Sequence, residues 1–160
     1  MGCALSEITA SDLKSIFDSA SIACAVQRMG AEDVCIVDGR VFVTADPERS
    51  AFVISFPPAI SSTREQALEF CNRFNGLGFT TCRAKIEGKS SFVGRKAGEG
   101  DPPPENDWWT IGFEHHHAAF DYEVVDKETI LTLFQRFAAS LNAGIPRADQ
   151  DGLFSYLARQ

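Results

Sequence analysis

Apolar side chains occupy the odd positions Trp109, Ile111 and Phe113, and then, from Ala118, the even positions Phe120, Tyr122 and Val124. Successive side chains of a strand point to opposite faces, so a one-residue change of phase turns a whole apolar set from core to solvent. A single uninterrupted strand does not satisfy both halves. The pattern predicts two strands, about Trp108 to Glu114 and Ala118 to Val124, with a turn or bulge between Glu114 and Ala119. His115, His116 and His117 fall at or beside that connection. The two segments, folded back to back, would supply sheet for a layer of helices to cover.

Upstream, Thr9 precedes Leu13, Ile16, Phe17 and Ala20 at helical spacing, and Ile8 stands where a hydrophobic staple would clamp the entry, which predicts a helix over Thr9 to Ser19. Four β-rich runs follow, Ala23 to Arg28, Val34 to Val37, Arg40 to Ala45 and Ala51 to Phe56, with an Asp38-Gly39 hairpin turn between the second and third. Pro57-Pro58 ends the last run. Ser62 with Glu65 reads as a capping box for a second helix, whose stripe is Ala67, Phe70, Cys71 and Phe74 and whose stop is Gly76 and Gly78. Thr80, Cys82, Ala84 and Ile86 then alternate with Thr81, Arg83, Lys85 and Glu87 in a half-buried strand. Asp126 caps a third helix carrying Ile130, Leu133, Phe134, Phe137 and Leu141, which Asn142-Ala143-Gly144 and Pro146 close. A short helix after Asp149, with Leu153, Phe154 and Leu157, completes a C-terminal helical tail over 145–160. Strands joined by short turns, with helices between groups of them, imply an α+β fold in which helices pack on an antiparallel sheet in the order α-βββ(β)-α-βββ-α, as a single domain over 1–160.

Composition narrows the function classes. The chain is 44% apolar and 23% charged, which excludes a disordered polymer. Twenty-two acids against fifteen bases leave a net charge of −7, which argues against nucleic acid or an anionic membrane as partner. Residues 88–107, rich in Gly and Pro, read as a mobile loop. The bases Arg83, Lys85, Lys89, Arg95 and Lys96 stand beside the acids Glu99, Asp101, Glu105 and Asp107, a solvated arrangement that neutralises itself or docks an acidic partner. Apolar runs such as Ala51 to Ile54 are far shorter than the ~20 residues of a membrane helix. Met1-Gly2-Cys3 fits a lipidation pattern formally, but Glu7, Asp12 and Asp18 would be repelled by an anionic surface. Five cysteines without a CxxC spacing read as reduced thiols of a cytoplasmic protein.

Phe70-Cys71-Asn72-Arg73-Phe74-Asn75-Gly76-Leu77-Gly78-Phe79, leading into a strand through Ile86, resembles the central signature of the YbjN-like family: an Asn-x-x-Asn helix end, an aromatic, a strand, an acidic strand and a helix. Phe120-Asp121-Tyr122-Glu123-Val124 and the Asp126 helix are similar to the second half of that signature. The Thr9 helix, the Asp38-Gly39 hairpin and the strand near Phe52 stand in the family's order, so the likeness covers most of 8–143 and leaves Gly144 to Gln160 outside. Gly78 and Thr80 depart from it, standing where basic residues are common, as does the long loop. The resemblance implies a fold like the small acidic dimeric chaperones of type III secretion and a bacterial sensory-transduction regulator with no defined reaction.

The chemistry-bearing residues are few. On a strand only His115 and His117 would share a face, with Glu114 or Asp121 as carboxylate additions, fewer convergent groups than catalytic zinc requires. Cys71 and Cys82 fall on core-facing positions and read as small hydrophobes. GxSxG, HExxH and phosphate-cradling glycine motifs are absent from the sequence. The reading is a non-enzymatic protein-binding module, chaperone-like or regulatory and homodimeric, with no catalytic residue, cofactor or metal. Its partner is a protein of unknown identity. Partner-binding candidates are Arg83, Lys85, Trp108, Trp109, Asn72 and Asn75, the two Asn residues having a capping role as the structural alternative. The rival reading is a small metal-dependent or small-molecule-binding enzyme at the His115 to His117 turn.

Overall fold

The computed structural model describes residues 3–4, 7–49, 51–57, 62–89, 109–118 and 124–154. Along them run β1 (Cys3–Ala4), α1 (Ala10–Ser19), β2 (Cys24–Met29), β3 (Glu32–Val37), β4 (Val41–Asp46), β5 (Ala51–Phe56), α2 (Arg64–Gly76), β6 (Arg83–Lys89), β7 (Trp109–Ala118), β8 (Val124–Val125) and α3 (Lys127–Ala148). Six strands form an antiparallel sheet in the order β2-β3-β4-β5-β7-β6, and β1 pairs separately with β8, giving an α+β fold. Two compact units divide the chain, Met1–Phe56 with Glu114–Ala138, and Pro57–Phe113 with Ala139–Gln160. Among the described residues no helix is long and apolar enough to cross a membrane.

In the first unit the local chemistry acts as its sequence dictates. The Thr9 hydroxyl accepts from the Asp12 backbone N–H at 3.2 Å while the Asp12 carboxylate accepts from the Thr9 N–H at 2.9 Å, so two free donors at the start of α1 are satisfied reciprocally. Leu13 and Phe17 then face inward beside a buried Ile8. At the β3–β4 connection Asp38 and Gly39 both take positive φ, 53° and 73°, in a turn closed by the Arg40 N–H donating to the Val37 carbonyl at 3.2 Å, with Arg40 as the third loop residue. Register follows, with Val37 opposite Val41 and Cys35 opposite Val43, all four buried on one face. Phe17 meets Phe134 edge to face at 5.2 Å between ring centroids.

In the second unit the N-cap of α2 is Thr63, paired with Gln66, one residue beyond the expected Ser62 and Glu65. Ser62 is committed elsewhere: its backbone exchanges hydrogen bonds with Trp109 at 3.1 and 2.8 Å, and its hydroxyl donates to the Trp109 carbonyl. Phe70, Phe74, Phe113 and Phe154 pack ring against ring, with centroid separations from 4.8 to 6.0 Å.

Three further expectations are corrected. There is no turn at the histidines: β7 runs unbroken through His115, His116 and His117 to Ala118, and the hairpin of Trp108–Glu114 with Ala118–Val124 does not form. Imidazole is itself an amphipathic ring, so His115 and His117 prolong the odd-numbered stripe of Ile111 and Phe113, and the strand keeps its phase through the histidines. Residues 119–123 lie outside the described residues, and Val124 belongs to β8, which pairs with β1. The third helix does not stop at Gly144 or Pro146 either. It continues to Ala148, with Ile145 and Ala148 buried. The Arg73 Nε donates to the Ala148 carbonyl at 2.8 Å, placing a cation at the negative end of the helix. Residues 149–154 form turns instead of a final helix, because the Asp149 carboxylate accepts from the backbone N–H groups of Leu153 and Phe154, both at 2.7 Å. Leu157 lies outside the described residues.

Gly144 is a packing residue. A Cβ there would stand 2.6 Å from the Phe74 ring and 2.7 Å from Phe79. Gly144→Ala should therefore lower stability by about 1–2 kcal/mol, because overpacking against the buried Phe74 outweighs the ~1 kcal/mol gained in helix propensity. Urea unfolding of the two proteins measures the difference, and a stabilised variant would contradict it.

Candidate functional site

Strand geometry sorts the three histidines. His115 and His117 share the Ile111 and Phe113 face of β7, their rings 6.2 Å apart, and His117 packs 5.2 Å from the Phe52 ring. His116 points to the opposite face, where its Nε2 is 3.1 Å from a Glu114 carboxylate oxygen. Burial first, and then His117 and His116, hold the His115 imidazole below its ordinary value of 6.5, and its Nε2 is shut from solvent with no hydrogen-bond partner among the described residues. Glu114 is thus on the wrong face to join His115 and His117, and Asp121 lies outside the described residues. Among the described residues no group of three His, Cys, Asp or Glu side chains comes together to hold a metal ion.

The partner-binding candidates are dispersed. Arg83 is exposed at the start of β6, and the Lys85 ammonium lies 3.9 Å from Glu87. Trp108 and the bases Arg95 and Lys96 lie outside the described residues. Trp109 is half-buried, fixed by its Ser62 bridge and by the Arg64 guanidinium 5.8 Å from its ring centre. Asn72 is exposed on α2, but Asn75 is spent on the fold. Its Nδ2 donates to the Ala84 carbonyl and its Oδ1 accepts from the Ala84 N–H, both at 2.9 Å, so one amide side chain does the work of a neighbouring strand. A shallow depression of about 310 Å³ lies along Asp126, Thr129, Leu133 and Arg136 of the α3 start. Asp126 there accepts from the Thr129 hydroxyl and N–H at 2.7 and 2.8 Å, which holds its carboxyl below the usual range and explains it as a helix cap.

Sequence reasoning passed over the surface that the strand order creates. Among the described residues β2 is the last strand of the sheet, and from Ala25 to Met29 every residue is exposed, including Val26 at 41% and Met29 at 44%. Edge strands are commonly blunted by Lys, Pro or a bulge. β2 contains neither Lys nor Pro, its pairing to β3 is regular from Cys24 to Met29, and its one charge, Arg28, is drawn to Asp33 on β3 at 3.3 Å. The signal was present as a strand lacking alternation, which says half-buried nowhere, but strand order is not readable from one strand.

No family model matches this sequence, and neither the curated proteins nor the solved structures contain a match.

Two outcomes test these assignments. Because His115 is held below 6.5, its contribution to stability is present in full above about pH 6.5 and falls away as the pH drops from there toward its lower folded value. The unfolding midpoint should fall with acidity over that window, and His115→Leu should flatten the profile. Asn75→Ala strips partners from both polar groups of Ala84 and should cost about 1–3 kcal/mol; chemical denaturation reads it, and an unchanged midpoint would return Asn75 to the ligand candidates.

Proposed function

We propose that this protein is a non-enzymatic protein-binding module, homodimeric, chaperone-like or regulatory in role and cytoplasmic in location. The observation that carries the reading is the open edge of β2. Alternate edge residues, Cys24, Val26 and Arg28 by the register, turn their backbone N–H and C=O groups outward toward an added strand, and the side chains give it a grip: Cys24 and Val26 turn to one face, and Ala25, Gln27 and Met29 to the other. Strand addition joins main chain to main chain and asks little of the partner's sequence. The YbjN-like resemblance points the same way, toward dimeric secretion chaperones and regulators. On this reading β2 pairs with β2 of a second copy or with an extended segment of another protein.

Size-exclusion chromatography with light scattering should give a dimer at high micromolar concentration. Val26→Lys puts a strongly hydrated charge on the edge and should weaken association by about tenfold or more, roughly 1.4 kcal/mol or above. A strictly monomeric parent protein would remove self-association, and a dimer indifferent to Val26→Lys would move it away from β2.

A further inference from the structure

The edge strand also carries one half of a thiol pair. Cys24 of β2 lies opposite Val37, and Cys35 of β3 lies opposite Val26. The Asp38 N–H donates to the Ala23 carbonyl at 2.9 Å, which makes that neighbouring pair a hydrogen-bonded one. Hydrogen-bonded and non-hydrogen-bonded pairs alternate along an antiparallel ladder, so the Cys24 and Cys35 positions fall at consecutive non-hydrogen-bonded sites, Cys24 facing Val37 and Cys35 facing Val26. Both cysteines project from the same face of the hairpin, on a diagonal, and each lies within electrostatic reach of the other. The Cys35 Sγ also donates to the Ala10 carbonyl at 3.2 Å, which fixes its direction. Lys14 of α1 bears on both thiols electrostatically, and Asp18, which holds the Lys14 ammonium at 2.6 Å, bears on Cys24.

We propose that Cys24 and Cys35 are a redox-responsive dithiol that a small-molecule disulfide converts reversibly into a cross-strand disulfide. Cys24 reacts first, because it is half-buried while Cys35 is buried. Its thiolate attacks one sulfur of the small disulfide, whose S–S bond breaks; a mixed disulfide forms and the first small thiol leaves, taking up the proton that Cys24 lost. The Cys35 sulfur, deprotonated, then attacks the Cys24 sulfur and expels the second small thiol, which takes that proton. Two protein thiols are oxidised, and one small disulfide is reduced to two thiols.

The geometry also sets the character of the bond. Diagonal Cα atoms across an antiparallel pair are about 7–8 Å apart, whereas disulfides favour about 4.4–6.8 Å, so closure needs the strands to shift. β2, an edge strand with β3 as its one neighbour in the sheet, has room to supply that shift. A bond closed under strain is the more easily reduced, which suits a reversible response over a permanent staple. Burial raises both thiols, Cys35 to about 12, so the exchange is slow compared with that of a catalytic cysteine. Cys71 and Cys82 are raised to about 11 and about 12 by burial alone, and neither gains from a neighbouring thiol.

The test is exposure of the full chain, at low micromolar concentration, to oxidised glutathione, followed by alkylation in denaturant and peptide mapping. The expected product has lost two hydrogens, carries one internal Cys24–Cys35 link, and returns to the dithiol with dithiothreitol. Cys35→Ser should instead accumulate a glutathione adduct at Cys24. The proposal is overturned if both cysteines remain alkylatable after prolonged exposure, if other cysteines are linked in preference, if a covalent dimer through Cys24 is the main product, or if Cys35→Ser gathers no adduct at Cys24. Dimerisation through β2 is read by light scattering and this link by mass, so either idea fails without the other.

Discussion

The inward side chains of β7 set the terms on which the rest of the chain folds. Ile111 and Phe113 are fully buried, and the same face continues into His115 and His117. In the second unit Phe113 makes edge-to-face and tilted contacts with Phe70, Phe74 and Phe154, each ring pair being worth about 0.5–1.5 kcal/mol beyond the area it buries. In the first unit the same strand face meets Phe52 through an imidazole instead of a benzene ring. His115 on the same face carries a cost, since among the described residues its buried Nε2 has no partner, and burial holds that imidazole below its ordinary value, neutral where a solvated histidine begins to charge.

Where local chemistry decides the structure, the sequence is legible. The Thr9 cap, the Asp38-Gly39 turn, the Ala51–Phe56 strand and the Ala67, Phe70, Cys71, Phe74 stripe are each fixed by neighbours within a few residues, and each lies where spacing puts it. Where tertiary contacts decide, spacing misleads. Gly144 and Pro146 carry the usual signs of a helix end, yet Gly144 has no side chain because the Phe74 ring occupies that space, and Pro146 forfeits one hydrogen bond in a turn that Ile145 and Ala148 hold by burial. The capping box slid from Ser62 to Thr63 for a similar reason, since Ser62 pairs with a residue 47 positions away that no local rule could supply.

The candidate site was less legible than the fold. Histidines and exposed bases attract notice because their chemistry is visible in one letter, yet His115 and His117 are ring-packed on a core face and Asn75 closes off the backbone of Ala84. The features on which the proposals rest, the edge at β2 and two thiols on its diagonal, are properties of strand order and register. The composition of Ala25 to Met29 is unremarkable until the strand is known to be last in the sheet.

An unprotected edge is a liability that a folded chain ordinarily blunts, and the sheet's end at β2 keeps only Arg28 for the purpose, itself drawn sideways to Asp33. The interaction is between exposed groups and is worth little as a lock, so it leaves the main-chain donors and acceptors of β2 open. The one sizeable constraint available to the strand is covalent. Cys24 stands at the end of β2 nearest α1, and tying it to Cys35 would remove freedom from the base of the hairpin while leaving Val26 to Met29 exposed beyond it. Edge pairing needs a strand that stays extended, so ordering its base lowers the entropy still to be lost when another strand is added. The same register that makes the edge available therefore also places, on its inner diagonal, the chemistry able to stiffen it.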